Sequence, residues 1–183
     1  LSGWTPVSAS VYTATFTPTT NTAGTATIGV KSGTFSDAAG NLNQDTYLNP
    51  APSGQTYQAN NQVSIAYDTA APTQTVTLSS MTKDSGTSGG AVNSDWSTSD
   101  GSAGRLLSGF ISAPLGAGEV VKVYKVVSGT ETYLGDATVA SNGTTWAYTD
   151  TGSYNSNWTY KAVVVDAVGN AGTAVTQAIT LSA

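Results

Sequence analysis

The residues of this chain with the clearest potential chemistry are carboxylates and amides in short acidic loops. The phrase Asp-Ala-x-Gly-Asn occurs twice, at residues 37–41 and 166–170. Calcium takes about six to eight oxygen ligands from carboxylates, amides and backbone carbonyls, and the glycine lets the backbone turn and present carbonyls. The pattern therefore predicts calcium ligands in both loops, namely Asp37, Asn41, Asp166 and Asn170.

A further carboxylate, Asp68, precedes a polar stretch that ends in Pro72. In an immunoglobulin-type sandwich, the loop before the last strand lies at the pole where the first strand enters. We therefore expect Asp68 to face Asp166 and Asn170 in a calcium site at a domain junction. The simpler alternative is an Asx-type turn, in which these side chains only satisfy backbone amides. The 37–41 loop would lie at the upstream pole, where we expect an incomplete site.

A second group of carboxylates lies in one long loop rich in Ser, Gly and Asp. Asp84, Asp95 and Asp100 would repel one another there unless a cation or solvent screened them. Their spacing is not that of an EF-hand, because alternate oxygen ligands and a terminal Glu are missing. Two alternatives are open at this point: a second calcium site, within this domain or shared with the next repeat, and a flexible solvated loop.

Composition excludes several function classes. The chain has 6 Lys+Arg against 11 Asp+Glu, a net charge of −5, and neither Cys nor His. No basic patch is available for nucleic acid or anionic membranes, and no stretch is long or apolar enough to span a bilayer. Zinc sites, thiol nucleophiles and imidazole-based triads are also excluded.

Two short patterns invite an enzymatic interpretation, and neither supports it. Asp150-Thr151-Gly152-Ser153 spells the phrase around the catalytic aspartate of pepsin-like proteases, but those enzymes need two such aspartates and only one copy is present. Glu119 and Glu131 flank separate strand ends, so no glycosidase cleft between paired acids is implied. The sequence does not predict an enzyme.

Period-two alternation predicts strands throughout and no helix. The polar residues and proline at 68–72 predict a boundary between two domains, 1–70 and 71–183. The second domain contains about seven predicted strands, which is typical of an immunoglobulin-like β-sandwich. They begin at Val76 and continue at 106–112, 120–127, 132–139, 144–149, 158–165 and 174–181, with a long loop at 82–103.

The first domain has only three or four predicted strands, too few to close a sandwich. Its alternating segments include 12–17, 26–30 and 63–67. We expect it to be the C-terminal part of a domain whose opening strands lie upstream, or to be completed by another chain. Leu1 would then begin an excerpt of a longer protein.

Several segments resemble the bacterial Ig-like repeats of large, type-I-secreted (RTX-type) surface adhesins. The resemblance covers residues 72–183 almost end to end, and the first segment is similar to the C-terminal half of a sister repeat. The segments that carry it are 118–124, 134–139, 142–150 and 160–170, with 12–18 and 33–41 in the first domain.

The resemblance implies tandem β-sandwiches on the bacterial cell surface, with calcium often at or near the junctions. The implied function is a structural extender repeat in adhesion or biofilm formation. Its partners would be neighbouring repeats of the same chain, and a host or surface receptor would be contacted through other domains. Two alternatives stay open: a glycan- or protein-binding module using Trp96, Tyr133 or Tyr154, and a self-assembling filament or surface-layer subunit.

Overall fold

The computed structural model describes residues 1–8, 11–29, 36–42, 62–84 and 95–182, and every regular element among them is a β-strand. The chain divides into two compact units, Leu1–Ala70 and Ala71–Ala183. The all-β fold confirms the class predicted from sequence alternation. Among the described residues, no helix is long and apolar enough to cross a membrane.

The first unit contains two separate antiparallel strand pairs. β1 (Ser2–Pro6) pairs with β2 (Tyr12–Thr15), and β3 (Ala23–Gly29) pairs with β4 (Gln62–Asp68). The Phe16 and Tyr67 rings meet edge-on with their centroids 5.9 Å apart. None of the described residues of this unit is buried. That the unit is only the C-terminal part of a domain stays a prediction.

The second unit is a sandwich of two sheets. One sheet has the order β10-β11-β7-β5 and the other has the order β6-β13-β12-β8-β9. The strands of the first sheet are β5 (Ser80–Met81), β7 (Arg105–Phe110), β10 (Thr138–Val139) and β11 (Thr145–Asp150). Those of the second are β6 (Ser97–Thr98), β8 (Val120–Val127), β9 (Thr130–Asp136), β12 (Trp158–Val165) and β13 (Val175–Leu181).

The core lies between these sheets and follows the period of two. β7 alternates buried and accessible residues from Arg105 to Phe110, because successive side chains point to opposite faces of a sheet. β12 is buried along most of its length. The buried apolar side chains include Met81, Leu107, Val121, Val123, Trp146, Trp158, Tyr160, Val164 and Ile179. Trp146 and Trp158 are therefore core residues of this unit.

Three details differ from the sequence-based strands. The predicted strand 132–139 is two strands in different sheets, since β9 ends at Asp136 and β10 begins at Thr138. The Ala137 N–H donates to Val121 O at the crossing point. The long loop contains β6, which pairs in parallel with β13. Val76 forms an isolated bridge with Ile111, ahead of the regular strand β5.

Candidate functional site

The 166–170 loop is a compact turn built around one carboxylate. Asp166 Oδ1 accepts backbone N–H groups of Val168, Gly169 and Asn170 at 2.8–3.0 Å. Asp166 Oδ2 accepts the Asn170 side-chain Nδ2 at 2.8 Å. Gly169 adopts a φ of 99°, in the left-handed region that glycine enters without steric cost. The Asp-Ala-x-Gly-Asn phrase therefore encodes a self-contained Asx turn.

The 37–41 loop in the other unit has nearly the same bonds. Asp37 Oδ1 accepts the N–H groups of Ala39 and Asn41 at 2.9 Å, and Asp37 Oδ2 accepts Asn41 Nδ2 at 2.9 Å. Gly40 has a φ of 86°. The equivalent backbone bond, from the aspartate N–H to the asparagine O, is 3.0 Å in both loops. Two copies of one phrase thus adopt one geometry in two structural settings.

These hydrogen bonds hold both aspartates ionised. For Asp37, the bonds from the side chain and backbone of Asn41 lower the pKa below its usual value. For Asp166, partial desolvation raises the pKa, but bonds from Asn170, Val168 and Gly169 outweigh it and the net pKa is lowered. A carboxylate that accepts several amide N–H bonds is stabilised in its charged form.

The chemistry of these two loops fits a turn better than a calcium cage. The Asn170 amide turns its NH₂ toward Asp166, because its carbonyl would be repelled by the carboxylate. Asp166 Oδ1 already accepts three donors, so only part of the Oδ2 side is available to a cation. Asp37 Oδ1 accepts two donors, and its Oδ2 likewise accepts the side-chain Nδ2 of Asn41. Within the part of the chain that the structure describes, no three acidic, His or Cys side chains gather as a metal-binding group.

Asp68 also caps its own turn. It ends β4, pairs with Ala23 across the strand ladder, and its Oδ1 accepts the Ala70 N–H at 2.9 Å. Asp68 belongs to the first unit and Asp166 to the second. The predicted junction site between them stays a prediction.

Asp84 and Asp95, two of the three long-loop aspartates, form a different environment. Asp84 is only 1% exposed, and its Oδ2 accepts the Trp96 N–H at 3.4 Å. Its Oδ1 is buried and accepts no hydrogen bond in the structure as described. Burial raises the pKa of Asp84, and the neighbouring Asp95 carboxylate raises it further. A buried acceptor beside a second carboxylate is unfavourable unless a proton or cation lies between them.

Asp100 does not join that pair. Its Oδ1 accepts the backbone N–H and the hydroxyl of Ser102 at 2.9 and 2.6 Å. Its Oδ2 lies 3.3 Å from Lys83 Nζ. The Ser102 bonds, with a smaller contribution from Lys83, lower the pKa of Asp100 to about 2. The three predicted ligands are thus divided between two local clusters.

The sequence did not predict a deeply buried polar cluster that the described residues of the second unit form. Arg105 and Asp150 are 0% and 1% exposed, and Arg105 Nη2 donates to Asp150 Oδ2 at 2.9 Å. Arg105 Nε donates to the Tyr160 hydroxyl at 2.9 Å, and that hydroxyl donates in turn to Asp150 Oδ2. Carbonyl oxygens of Ser102 and Gly152 accept the remaining guanidinium bonds.

Aromatic rings complete this cluster. The Arg105 guanidinium lies 4.5 Å from the Tyr154 ring centroid and 4.9 Å from that of Trp158, a geometry of cation–π attraction. Burial raises the pKa of Asp150, but the bonds from Tyr160, Gly152 and Arg105 reverse this and leave the pKa below its usual value. Burial lowers the pKa of Arg105, and Tyr160 and Asp150 more than compensate.

This geometry explains the Asp150-Thr151-Gly152-Ser153 phrase. Asp150 Oδ1 accepts the Gly152 N–H at 2.8 Å while Oδ2 is bonded to Arg105 and Tyr160. The carboxylate is therefore committed to a buried structural network. One sequence feature could have revealed it: Arg105 is the only arginine, in phase with Leu107 and Gly109 on the inward face of β7.

The aromatic candidates for ligand binding are placed unequally. Trp96 and Tyr154 are half-buried and pack against the core. Tyr133 is 49% exposed, but Lys122 Nζ lies 4.8 Å from its ring centroid and its hydroxyl donates to Asp136 at 2.7 Å. Its centroid is also 5.5 Å from that of Tyr124. Neighbouring side chains thus already occupy much of this aromatic surface.

Residues 1–67 match the family model of the bacterial Ig-like domain. The match supports a bacterial Ig-like domain in the first unit, where the sequence had predicted only part of one. The comparison with curated proteins gives no match. Residues 1–67 are therefore similar to a bacterial Ig-like domain, and the regular elements of the described residues are all β-strands.

Proposed function

We propose that this chain is a non-catalytic, structural part of a bacterial cell-surface protein, acting as an extender in an adhesin. The observation that carries the proposal is the match of residues 1–67 to a bacterial Ig-like domain, a family typical of extracellular and surface proteins. The second unit supports it, because its buried Arg105 and Asp150 bond to each other and Arg105 bonds to Tyr160 of the facing sheet, rather than converging on a cleft.

The shape of the protein in solution tests this proposal. An extender gives a monomer in small-angle scattering whose longest dimension is about twice that of one sandwich, at every protein concentration. Growth of the particle with concentration would instead favour the filament or surface-layer alternative, and electron microscopy would show the fibres. A single compact globule would contradict the extender.

A glycan array tests the binding-module alternative. Tyr133 is the exposed aromatic of the three candidates, so binding that is lost in Tyr133→Ala would favour a ligand-binding module. Trp96→Ala serves as the comparison, since that ring packs on the core. Absence of binding by the unmodified protein agrees with the extender.

We place calcium, as part of this proposal, at Asp84 and Asp95 rather than at the Asp-Ala-x-Gly-Asn loops. Support comes from the buried, unpartnered Oδ1 of Asp84 and the adjacent carboxylate of Asp95. A divalent cation between them would satisfy both, and backbone carbonyls would supply further oxygen ligands. Stiffening by calcium would then originate at this end of the second sandwich.

Thermal unfolding in excess EDTA and then in millimolar calcium tests the cation. Binding to the native state alone adds about 2.7 kcal/mol when calcium is a hundredfold above its Kd. We expect the rise in Tm to disappear in Asp95→Asn and to persist in Asp166→Asn. The opposite pattern would assign calcium to the 166–170 loop. No rise in any variant would remove calcium from the proposal.

A further inference from the structure

The chain contains one Asn-Gly pair, Asn142-Gly143. An asparagine that precedes a glycine is the most reactive kind, because glycine has no side chain to keep its backbone nitrogen away from the asparagine side-chain carbonyl. The pair lies in the turn 140–144, which joins β10 to β11. Asn142 is exposed and Gly143 is half-buried, so water has access to the reacting side chain.

Deamidation of this pair proceeds through a five-membered succinimide ring. The Gly143 nitrogen loses its proton and bonds to Asn142 Cγ, the Cγ–Nδ2 bond breaks, and the released NH₂ takes up a proton and leaves as ammonia. One water then opens the ring at either of its two C–N bonds. Opening at Cγ gives aspartate, whereas opening at the backbone carbonyl carbon gives isoaspartate, in which the main chain runs through the side chain.

The turn holds the electrophile, the Asn142 side-chain amide, in place. Asn142 Oδ1 accepts the N–H groups of Thr144 and Thr145 at 3.1 Å and the Thr145 hydroxyl at 3.0 Å. Ring closure must rotate the side chain and the backbone of Asn142, which carries Oδ1 away from these donors. The three hydrogen bonds therefore resist the first movement that the reaction needs.

The turn also holds the nucleophile, the Gly143 nitrogen. Its N–H donates to Ala140 O at 2.9 Å, and the Ala140 N–H donates to Thr145 O at 2.9 Å. Gly143 has a φ of 73° and lies close to Pro114, since an added Cβ would be 3.2 Å from Pro114 Cβ. Loss of the amide proton and movement of the nitrogen are therefore both resisted.

We infer that Asn142 is a spontaneous deamidation site that the folded turn holds closed, so that the residue reacts only when the turn between β10 and β11 opens. The hydrogen bonds convert a reactive pair into a slow one. The rate of deamidation then reports how often this turn of the second unit opens. The inference does not depend on the extender function, because it follows from the bonds of a single turn.

The two products should differ in how well they fit the turn. The aspartate form keeps the backbone unchanged, and a carboxylate oxygen can accept the same three donors. The isoaspartate form lengthens the backbone by one atom between residues 142 and 143, which displaces the bonds of Ala140 with Gly143 and Thr145. We expect Asn142→Asp to keep nearly the stability of the unmodified protein in urea denaturation, and the isolated isoaspartate form to be less stable.

Mass spectrometry of the full chain tests the protection. The protein is incubated in mildly alkaline buffer, either folded or in denaturing urea, and the peptide that contains Asn142 is quantified over time. We expect deamidation to be at least about tenfold slower in the folded protein, since opening the turn breaks several hydrogen bonds. Equal rates in the two conditions would overturn the inference.

Substitutions of Thr145 test the mechanism. Thr145→Val removes the hydroxyl donor and keeps the shape of the side chain, whereas Thr145→Ser keeps the hydroxyl and is the matched control. We expect deamidation of the folded protein to be about fivefold faster in Thr145→Val, the effect of one net hydrogen bond, and nearly unchanged in Thr145→Ser. Equal rates in the two variants would contradict the role of the Asn142 bonds.

Asn155 is the internal reference for these variants, because it is an exposed asparagine in the loop after β11. Acceleration at Asn142 alone supports local opening of the turn. An equal acceleration at Asn155 would overturn it, because that result describes a general loss of stability.

Discussion

The two units of this chain contain the same acidic turn but differ in how many of their residues are buried. The second unit buries a continuous apolar core that includes Leu107, Val123, Trp146 and Tyr160. In the first unit, none of the described residues is buried, and Trp4 and Val7 are more than 60% exposed. The 37–41 and 166–170 turns nevertheless share their hydrogen bonds. Local sequence therefore specifies the turn, and the core specifies the sandwich.

The side-chain hydrogen bonds of the two units also differ in how deeply they are buried. In the second unit, a charged network is enclosed between the sheets at Arg105 and Asp150. In the first, Thr69 bonds with Thr19 and Thr22 near the surface, with its Oγ1 2.7 Å from Thr19 O. A buried charge depends on its partner, whereas a surface hydroxyl can exchange its partner for water. Substitutions should therefore be most costly in the second unit.

The largest expected effect comes from Arg105→Ala. It leaves the Asp150 carboxylate buried without its cation, and breaking a buried pair in this way costs about 3–5 kcal/mol. Chemical denaturation followed by near-ultraviolet circular dichroism should show the loss through Trp146 and Trp158, which lie in the same core. A loss below about 1 kcal/mol would mean that Asp150 finds another partner or water.

A matched variant separates pairing from packing. The triple substitution R105M/D150L/Y160F removes the guanidinium, the carboxylate and the hydroxyl together, so no charge is left unpaired. Replacing a buried ion pair with apolar residues of similar size is often neutral or stabilising. We expect the triple variant to be more stable than Arg105→Ala. If it is equally unstable, the Arg105 side chain acts mainly through packing on Tyr154 and Trp158.

The next effect concerns the pairing of residues 75–82 with β7, where the N–H groups of Thr77 and Ser79 donate to Phe110 O and Ser108 O. A Cβ added at Gly109 would lie 1.8 Å from Thr77 O and 2.7 Å from Trp146 Nε1. Gly109→Ala should therefore displace the segment and destabilise the second unit by about 1–3 kcal/mol or more, the range for overpacked cores. Equilibrium urea denaturation measures the loss.

Gly104→Ala is the control for that prediction. Gly104 has a φ of 91°, and no atom lies within 4 Å of an added Cβ, so this substitution tests backbone strain without a steric clash. Its expected cost is about 1–3 kcal/mol from the left-handed backbone alone. If the Gly109→Ala protein is more stable than the Gly104→Ala protein, Thr77 can move away from β7 with little loss in the free energy of unfolding.

Sequence reasoning succeeded where the pattern is local and failed where partners are distant in the chain. The alternation in 106–110 and 158–165 predicts the strands, because a period of two is a local property. The Arg105–Asp150–Tyr160 network joins residues from three strands, so the spacing along β7 marks Arg105 as inward-facing but does not show its partners. The alternation also does not predict the β6–β13 pair, because the two residues of β6 are too few to show a period.

The sequence also grouped Asp100 with Asp84 as calcium ligands. In the structure, Lys83 and Ser102 bind the Asp100 carboxylate in a separate cluster.

The smallest effect tests the comparison between the two turns most directly. Carbon-detected NMR titration should give Asp37 and Asp166 midpoints below the usual carboxyl value of 3.8. Asn41→Ala should raise the pKa of Asp37, because the Asn41 side chain makes the largest contribution to lowering it. Asn170→Ala should likewise raise the pKa of Asp166. The glycines at positions 40 and 169 stay unchanged, so the turn itself is retained.

The sign of the pH effect follows from these lowered values. A carboxyl whose pKa is lower in the folded than in the unfolded state stabilises the fold above the unfolded pKa and loses that contribution as the pH falls through the folded pKa. Each turn should therefore weaken below about pH 4. Matching midpoints for Asp37 and Asp166 would show that the turn forms independently of a buried core. A normal midpoint for Asp37 alone would mean that the turn depends on the packed sandwich beneath it.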